Sequence, residues 1–227
     1  MSQTWFVSDE HYNDKNMVGP GGHRPFETQL EMIRAFQRAH NDVVEPNDLV
    51  CHLGDYFMAS GGLAPGDASK ILAELRGHHV LVRGNHDKPD RWTPAPAFKW
   101  IRFKTSIDAH DGERDLCCVL DHWPMRTWSR KHYGAVQLHG HEHGNLPPLA
   151  NQLDVGIDHA HRLFGEWRPF SGTDVLQVIR LQNQMLQPNP DNDYGHHGKL
   201  TPVLGNSTGP ASSFRGGPDC DAARGPD

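Results

Sequence analysis

Five apolar runs in this chain end in side chains that bind metals or move protons. The first closes on Asp9-Glu10-His11, the second on Gly54-Asp55 and the third on Gly84-Asn85-His86-Asp87. Two later runs close on His122 and on Gly140-His141-Glu142-His143. Carboxylates, imidazoles and one amide suit borderline divalent ions, whereas thiolates would point to structural zinc or an iron–sulfur cluster. None of the cysteines, Cys51, Cys117, Cys118 and Cys220, belongs to the set or forms a C-x-x-C pair. Singly each cluster is ordinary: Asp9 could cap a turn, His122 could be a satisfied core imidazole, and His141 and His143 could line an exposed strand face. Together, and in this order, they exceed what turn chemistry requires. If the strands run on through the clusters, alternation sets Asp9 with His11 and His141 with His143 on shared faces.

The elements that must position these groups follow from the apolar pattern. Residues 3–7 read as a strand, residues 26–44 carry Leu30, Ile33 and Phe36 near helical spacing, and "DLVCHLGD" reads as a second strand. A short amphipathic helix over residues 68–75, stopped by Gly77, leads to a third strand at 79–82. Gly84 then allows a sharp turn that presents Asn85, His86 and Asp87 together. A β-α-β-α-β order implies a largely parallel sheet with functional groups outside the carboxyl ends of its strands. The second half reads as closely spaced strands, "WIRFKTSI", "DLCCVLDH", "AVQLHGHEH", "QLDVGID" and "VLQVIRL". The expected architecture is therefore α/β, two mixed β-sheets packed as a sandwich and flanked by helices. Residues 1–186 form the expected domain; residues 187–227, rich in Pro, Gly, Asn and Ser, read as a disordered tail.

Composition narrows the function. The 227 residues carry a net charge of −6, which argues against a protein-wide grip on long duplex nucleic acid. No apolar run is long enough to span a bilayer, and "MSQTWFVSDEH" lacks the basic start and apolar core of an export signal, so a soluble, cytoplasmic protein is expected. Seventeen histidines stand out, because His is both the commonest metal ligand and the side chain that titrates nearest neutral pH, but their positions matter more than their number.

The ordered series D-x-H, G-D, G-N-H-D, H and G-H-x-H resembles the signature of the calcineurin-like metallophosphoesterases. "RPF" at 24–26, "DHWPMRTW" at 121–128 and "LDVGID…WRPFSGTDVL" at 153–176 resemble the small, cap-less bacterial and phage branch of that superfamily. The resemblance implies two divalent ions per chain, manganese first, with iron, zinc, nickel or cobalt as alternatives. It assigns Asp9, His11 and His143 to one ion, Asn85, His122 and His141 to the other, and Asp55 as a bridge. It also implies hydrolysis of a phosphodiester or phosphomonoester by a hydroxide bridging the metals, with His86 as the acid and Asp87 orienting its ring. Relatives in this branch often have a further His three residues after the first, where this chain has Asp14; that departure bears on substrate preference.

Arg24 and Arg126 are candidate phosphate contacts because a guanidinium can grip two oxygens at once. His159 and His161 could line a pocket rim or stand exposed, and the aromatic rings at Trp123 and Trp128 read as packing. The expected partner is a small phosphoester or nucleotide, with no membrane and no long duplex; oligomeric state is open. The alternatives are a nuclease or nucleic-acid end-processing phosphatase, and a catalytically inactive metal-binding interaction protein.

Overall fold

The computed structural model describes residues 2–58, 61–88, 97–110 and 115–186. The predicted tail, with Cys220 and His196-His197, lies outside them. The strands are β1 (Thr4–Val7), β2 (Leu49–His52), β3 (His78–Val82), β4 (Ile101–Arg102), β5 (Lys104–His110), β6 (Asp115–Asp121), β7 (Val136–His139), β8 (Gln152–Asp154) and β9 (Phe170–Ser171). The helices are α1 (Gln29–Val43), α2 (Pro65–Ala73), α3 (Ile157–Phe164) and α4 (Gly172–Met185). One sheet has the order β4-β3-β2-β1-β9, parallel except for β9; the other has the order β5-β6-β7-β8, with only β5 antiparallel to its neighbour. Two mixed sheets with flanking helices match the expected fold.

Alternation explains the layering. In β1, Trp5 and Val7 face the helix side with Met32, Ile33, Phe36, Ile71 and Leu72, whereas Phe6 turns to the interior between the sheets. Cys51, Val80 and Val82 follow Phe6 and meet Cys118, Leu120, Leu138 and Leu153 of the second sheet. Both faces of the first sheet are thus covered, as its near-continuous apolar strands demand. Helix α1 begins where the Thr28 side chain accepts from Glu31 N, and it buries Met32, Ile33, Phe36 and His40 at three- and four-residue spacing.

The second half departs from the strand-only expectation. "VLQVIRL" lies in α4, opened by a reciprocal capping box between Ser171 and Asp174, with Val175, Leu176 and Ile179 buried along one side. The β-branched run favoured a strand, but the S-x-x-D start and the i, i+4 spacing prevail. Helix α3 was likewise hidden in "IDHAHRLF"; it buries Ile157 and Ala160 and stops at Gly165 in the left-handed conformation.

Candidate metal centre

All five clusters sit just past the carboxyl ends of β1, β2, β3, β6 and β7, but the strands do not run on through them. Asp9, His11, Asp55, His141 and His143 all have positive φ, at 58°, 50°, 55°, 73° and 51°. Strand alternation therefore does not bring the pairs together, as the sequence suggested; left-handed turns do. Asp and His are among the few non-glycine types that tolerate this region. The loops are pinned to one another by backbone bonds from Asp9 N to Gly54 O and from His11 N to Asp55 O, both 2.9 Å, and from Gly140 N to His122 O, 3.0 Å. Gly84 and Gly140 make that closeness possible: a Cβ on Gly84 would lie 2.2 Å from Asp55 Oδ1, and one on Gly140 would lie 2.5 Å from Asp9 Oδ2.

Two groups of donors result. Asp9, His11 and His143 bring their ligand atoms within 4.8 Å of one another, and so do Asp55, His122 and His141. Asn85 Oδ1 joins the second group, 3.0 Å from His122 Nε2 and 3.0 Å from His141 Nδ1. Asp55 stands between the groups: its Oδ2 is 3.4 Å from His122 Nε2 and 3.6 Å from His11 Nε2.

These donors suit cations. The Nε2 of buried His11 has no hydrogen-bond partner, its Nδ1 being turned to Asp14. Burial pushes the Asp9 carboxyl up to about 7 despite the pull of His143, which a bound cation would reverse. Burial also pushes Asp55 upward, but the hydrogen bond and charge of His122 outweigh it and hold Asp55 at about 2, while His122 rises to about 9. A metal ion would take the place of that proton. The imidazoles are aimed from behind: His122 Nδ1 donates to Leu53 O at 2.8 Å and His143 Nδ1 lies 2.6 Å from Asp158 Oδ2, leaving the other nitrogen of each for the centre.

Two sequence assignments need correction. Asp87 does not orient His86, because its buried carboxylate accepts from Gly84 N (2.8 Å), Asp55 N (2.9 Å) and Tyr56 N (3.1 Å). It ties the second and third loops together, so it positions Asp55 and touches no reacting group. Arg24 is also unable to grip a substrate. Its side chain is fully buried, its Nε and Nη2 donate to Asp158, and Nη1 and Nη2 donate to the carbonyls of Glu10 and Asp9. Arg126 is exposed, one residue past the Trp123-Pro124-Met125 loop. His86 stands at the mouth of the site, its side chain 43% exposed and Nε2 4.0 Å from Asp55 Oδ2, with its backbone N–H donating to Asp55 Oδ1. Asp14 turns its carboxylate toward Asn16 N and lies 3.3 Å from His11 Nδ1. His161 stacks on Trp167, and His159 Nδ1 donates to Asp154 O, so neither is an open rim group.

Sequence reasoning passed over two carboxylates. Asp158, in the first turn of α3, joins Arg24 to His143, and Asp154 accepts from Gly144 N and Gly156 N, both at 2.7 Å, to brace the loop that carries His141 and His143. The signal was in "LDVGID", a further apolar run that ends in carboxylates.

A sandwich of two mixed sheets with paired His and Asp groups at the strand ends defines an α/β protein with two candidate metal-binding groups. The chain belongs to the calcineurin-like phosphoesterase family, whose model matches residues 2–176. It is 28% identical over 165 residues to an uncharacterized protein of Methanocaldococcus jannaschii, covering 70% of this chain and 83% of that one. The Gene 66 protein of Mycobacterium phage D29 is 28% identical over 194 residues, covering 72% of this chain and 92% of the phage protein. A solved structure of a protein of unknown function from Aquifex aeolicus shares the fold, with a TM-score of 0.59 at 20% identity over 79% of this chain and all of the other. Among the described residues no helix is long and apolar enough to cross a membrane.

Proposed function

We propose that the chain is a cytoplasmic, metal-dependent phosphoester hydrolase. Asp9, His11 and His143 hold one divalent ion, Asn85, His122 and His141 hold a second, and Asp55 serves both. One observation carries this reading: a single carboxylate oxygen of Asp55 lies within 3.6 Å of an imidazole nitrogen from each group. Manganese is the first candidate, with iron, zinc, nickel and cobalt compatible with the same donors. When bound, such a pair of ions supplies positive charge against phosphoryl oxygens and acidifies a water for in-line attack.

The residues divide the remaining work. Left-handed turns at Asp9, Asp55 and His141 and the brace of Asp87 hold the donors in place before substrate arrives, so little reorganisation remains for the reaction. His86, half-exposed and anchored through its backbone to Asp55, faces the opening from which an ester oxygen departs. Its imidazole gives that oxygen a proton or a hydrogen bond. The substrate is a small or nucleotide-like phosphodiester or phosphomonoester. Arg126, exposed four residues past His122, is the remaining guanidinium candidate for a phosphate contact.

The test is a metal-supplemented screen of phosphomonoesters, linear diesters, cyclic nucleotides and oligonucleotides, followed by His86→Ala. General acid catalysis is worth about 10²–10⁴-fold, so the variant should lose far more on alkyl or ribose esters than on p-nitrophenyl esters, with metal content unchanged. Equal losses on both ester types would assign His86 to another task. No turnover with any of the metals would leave the protein a metal-binding interaction module.

A further inference from the structure

Trp123 follows His122 directly, and 41% of it is exposed. Its ring centroid lies 4.9 Å from that of His122, nearly perpendicular to it at 84°, and 5.9 Å from that of His141. An exposed indole therefore borders the side of the centre built from Asn85, His122 and His141. The sequence suggested that this aromatic ring was for packing. Trp128 fits that description, being buried with its Nε1 donating to Ala135 O; Trp123 does not.

Side chains hold four backbone groups of the loop that presents the indole. Trp123 N donates to Asp121 Oδ1 at 3.1 Å, and Gln137 Nε2 donates to Trp123 O at 3.2 Å. Met125 N donates to Gln137 Oε1 at 3.3 Å, Gln152 Nε2 donates to Met125 O at 2.6 Å, and the two glutamines bond each other at 2.6 Å. Pro124 brings no N–H and restricts Trp123 to extended backbone. Gln137 and Gln152 are both buried on strands of the second sheet. Buried amides are costly unless bonded, and here one bond goes to Trp123 and two to Met125, on the loop that carries the exposed indole. The same loop meets two exposed cations: Lys104 Nζ lies 4.0 Å from Met125 Sδ, and Arg126 follows Met125.

Resting on the phosphoesterase reading above, we propose that Trp123 is a stacking platform for a nucleobase, so that the substrate is a nucleotide ester whose base lies on the indole while its phosphorus sits at the metal centre. A fixed, exposed aromatic ring on a loop with cations is the arrangement that binds unpaired bases, because every base offers a π-face and its neighbouring phosphates offer charge. The base can come from a mononucleotide or from the end of a single strand, and Lys104 and Arg126 would meet the further phosphates of a strand. The acidic chain as a whole gives no such help to a long duplex.

The experiment compares the full-length, manganese-loaded protein with Trp123→Ala and Trp123→Phe on a nucleoside cyclic phosphate, the base-free ribose cyclic phosphate and a short single-stranded oligonucleotide. Base–aromatic stacking corresponds to about five- to hundred-fold in affinity. Trp123→Ala should raise KM for the two base-bearing substrates by a factor in that range and leave kcat and the base-free ester nearly unchanged. Trp123→Phe should restore most of the loss. Calorimetry should show the same weakening for binding of a nucleoside monophosphate, with manganese content equal in all three proteins. Equal effects on base-bearing and base-free esters, or none, would overturn the platform while leaving the phosphoesterase reading standing. If the wild-type protein turns over none of the three, the platform falls; the phosphoesterase reading falls with it only if the phosphomonoesters and linear diesters of the wider screen are also left intact. A KM rise for the oligonucleotide alone in Lys104→Ala and Arg126→Ala would support the platform with a strand end as its source, and unchanged values would support it with a mononucleotide.

Discussion

Gly140→Ala tests the claim that close contact between strand ends builds the first group of donors. A Cβ placed on Gly140 would lie 1.9 Å from Ser8 Oγ and 2.5 Å from Asp9 Oδ2, whereas real Cβ atoms essentially never approach another heavy atom within 3.0 Å. The shortfall is about 1.1 Å at Ser8 and about 0.5 Å at Asp9. Ser8 cannot simply turn away, because its hydroxyl is buried and donates to Leu53 O at 2.9 Å. Asp9 also accepts from His141 N, at 3.1 Å and 3.0 Å to its two oxygens, so moving its carboxylate loosens that bond as well. Overpacking of this kind costs roughly 1–3 kcal/mol, which a domain of this size survives. Displacing a ligand by a comparable fraction of an ångström should weaken the Asp9, His11 and His143 site by about 10–100-fold, the range seen when even a ligand's support is lost. His141, whose N–H bonds Asp9, belongs to the second group, so that site should weaken as well, but by less, because Asp55, Asn85 and His122 keep their mutual contacts. Calorimetric titration with manganese should therefore show the Asp9, His11 and His143 site weakened more than the other, with the circular dichroism spectrum unchanged. Two tight sites at wild-type affinity in the folded variant would refute the reasoning.

Two further outcomes follow from buried groups. Asp158→Asn should weaken the site containing His143 about 10–100-fold and also destabilise the fold, because Arg24 would keep a buried charge with no counter-ion. Adding Arg24→Met should recover stability but not metal affinity; recovery of both would show that Asp158 acts only through the fold. Burial depresses His40 to about 4 and His79 to about 2, from 6.5. The folded state then binds fewer protons than the unfolded one below pH 6.5, so this stability is full above 6.5 and is lost as pH falls toward the folded values. At pH 5 each histidine should cost about 2 kcal/mol. Urea melts of metal-free protein at pH 7 and pH 5 should lose about that much less in His40→Gln than in the wild type; parallel profiles would reject the assignment.

The candidate donors were legible because metal-ligand residue types close apolar runs, and the first sheet was legible because helices of recognisable spacing separate its strands. What escaped was decided by long-range contacts. Arg24 and Asp87 look like a phosphate clamp and a histidine's orienting acid when read beside their neighbours in the chain. Their actual partners, Asp158 and the backbone of Gly84, Asp55 and Tyr56, arrive through folding. The strand assigned to "VLQVIRL" failed for the opposite reason: the capping box immediately upstream, Ser171 to Asp174, was local and readable, but the β-branched run outweighed it.

The left-handed turns join these successes and failures. A ligand placed by strand alternation would need only the right residue type every second position, and almost any neighbouring geometry would do. Here Asp9, His11, Asp55, His141 and His143 each occupy a conformation that costs most residues about 1–3 kcal/mol. The types that tolerate it best apart from glycine, Asn, Asp and His, are also the types that bind divalent ions. The same residues thus satisfy the backbone and the metal together, which is why the motif could be read from sequence although the geometry first assigned to it was wrong. It also explains the supports: Asp87, Asp154 and Asp158 each bond to those turns or to a ligand, at 2.6–3.1 Å, and hold in place a chain path that would otherwise relax to extended backbone.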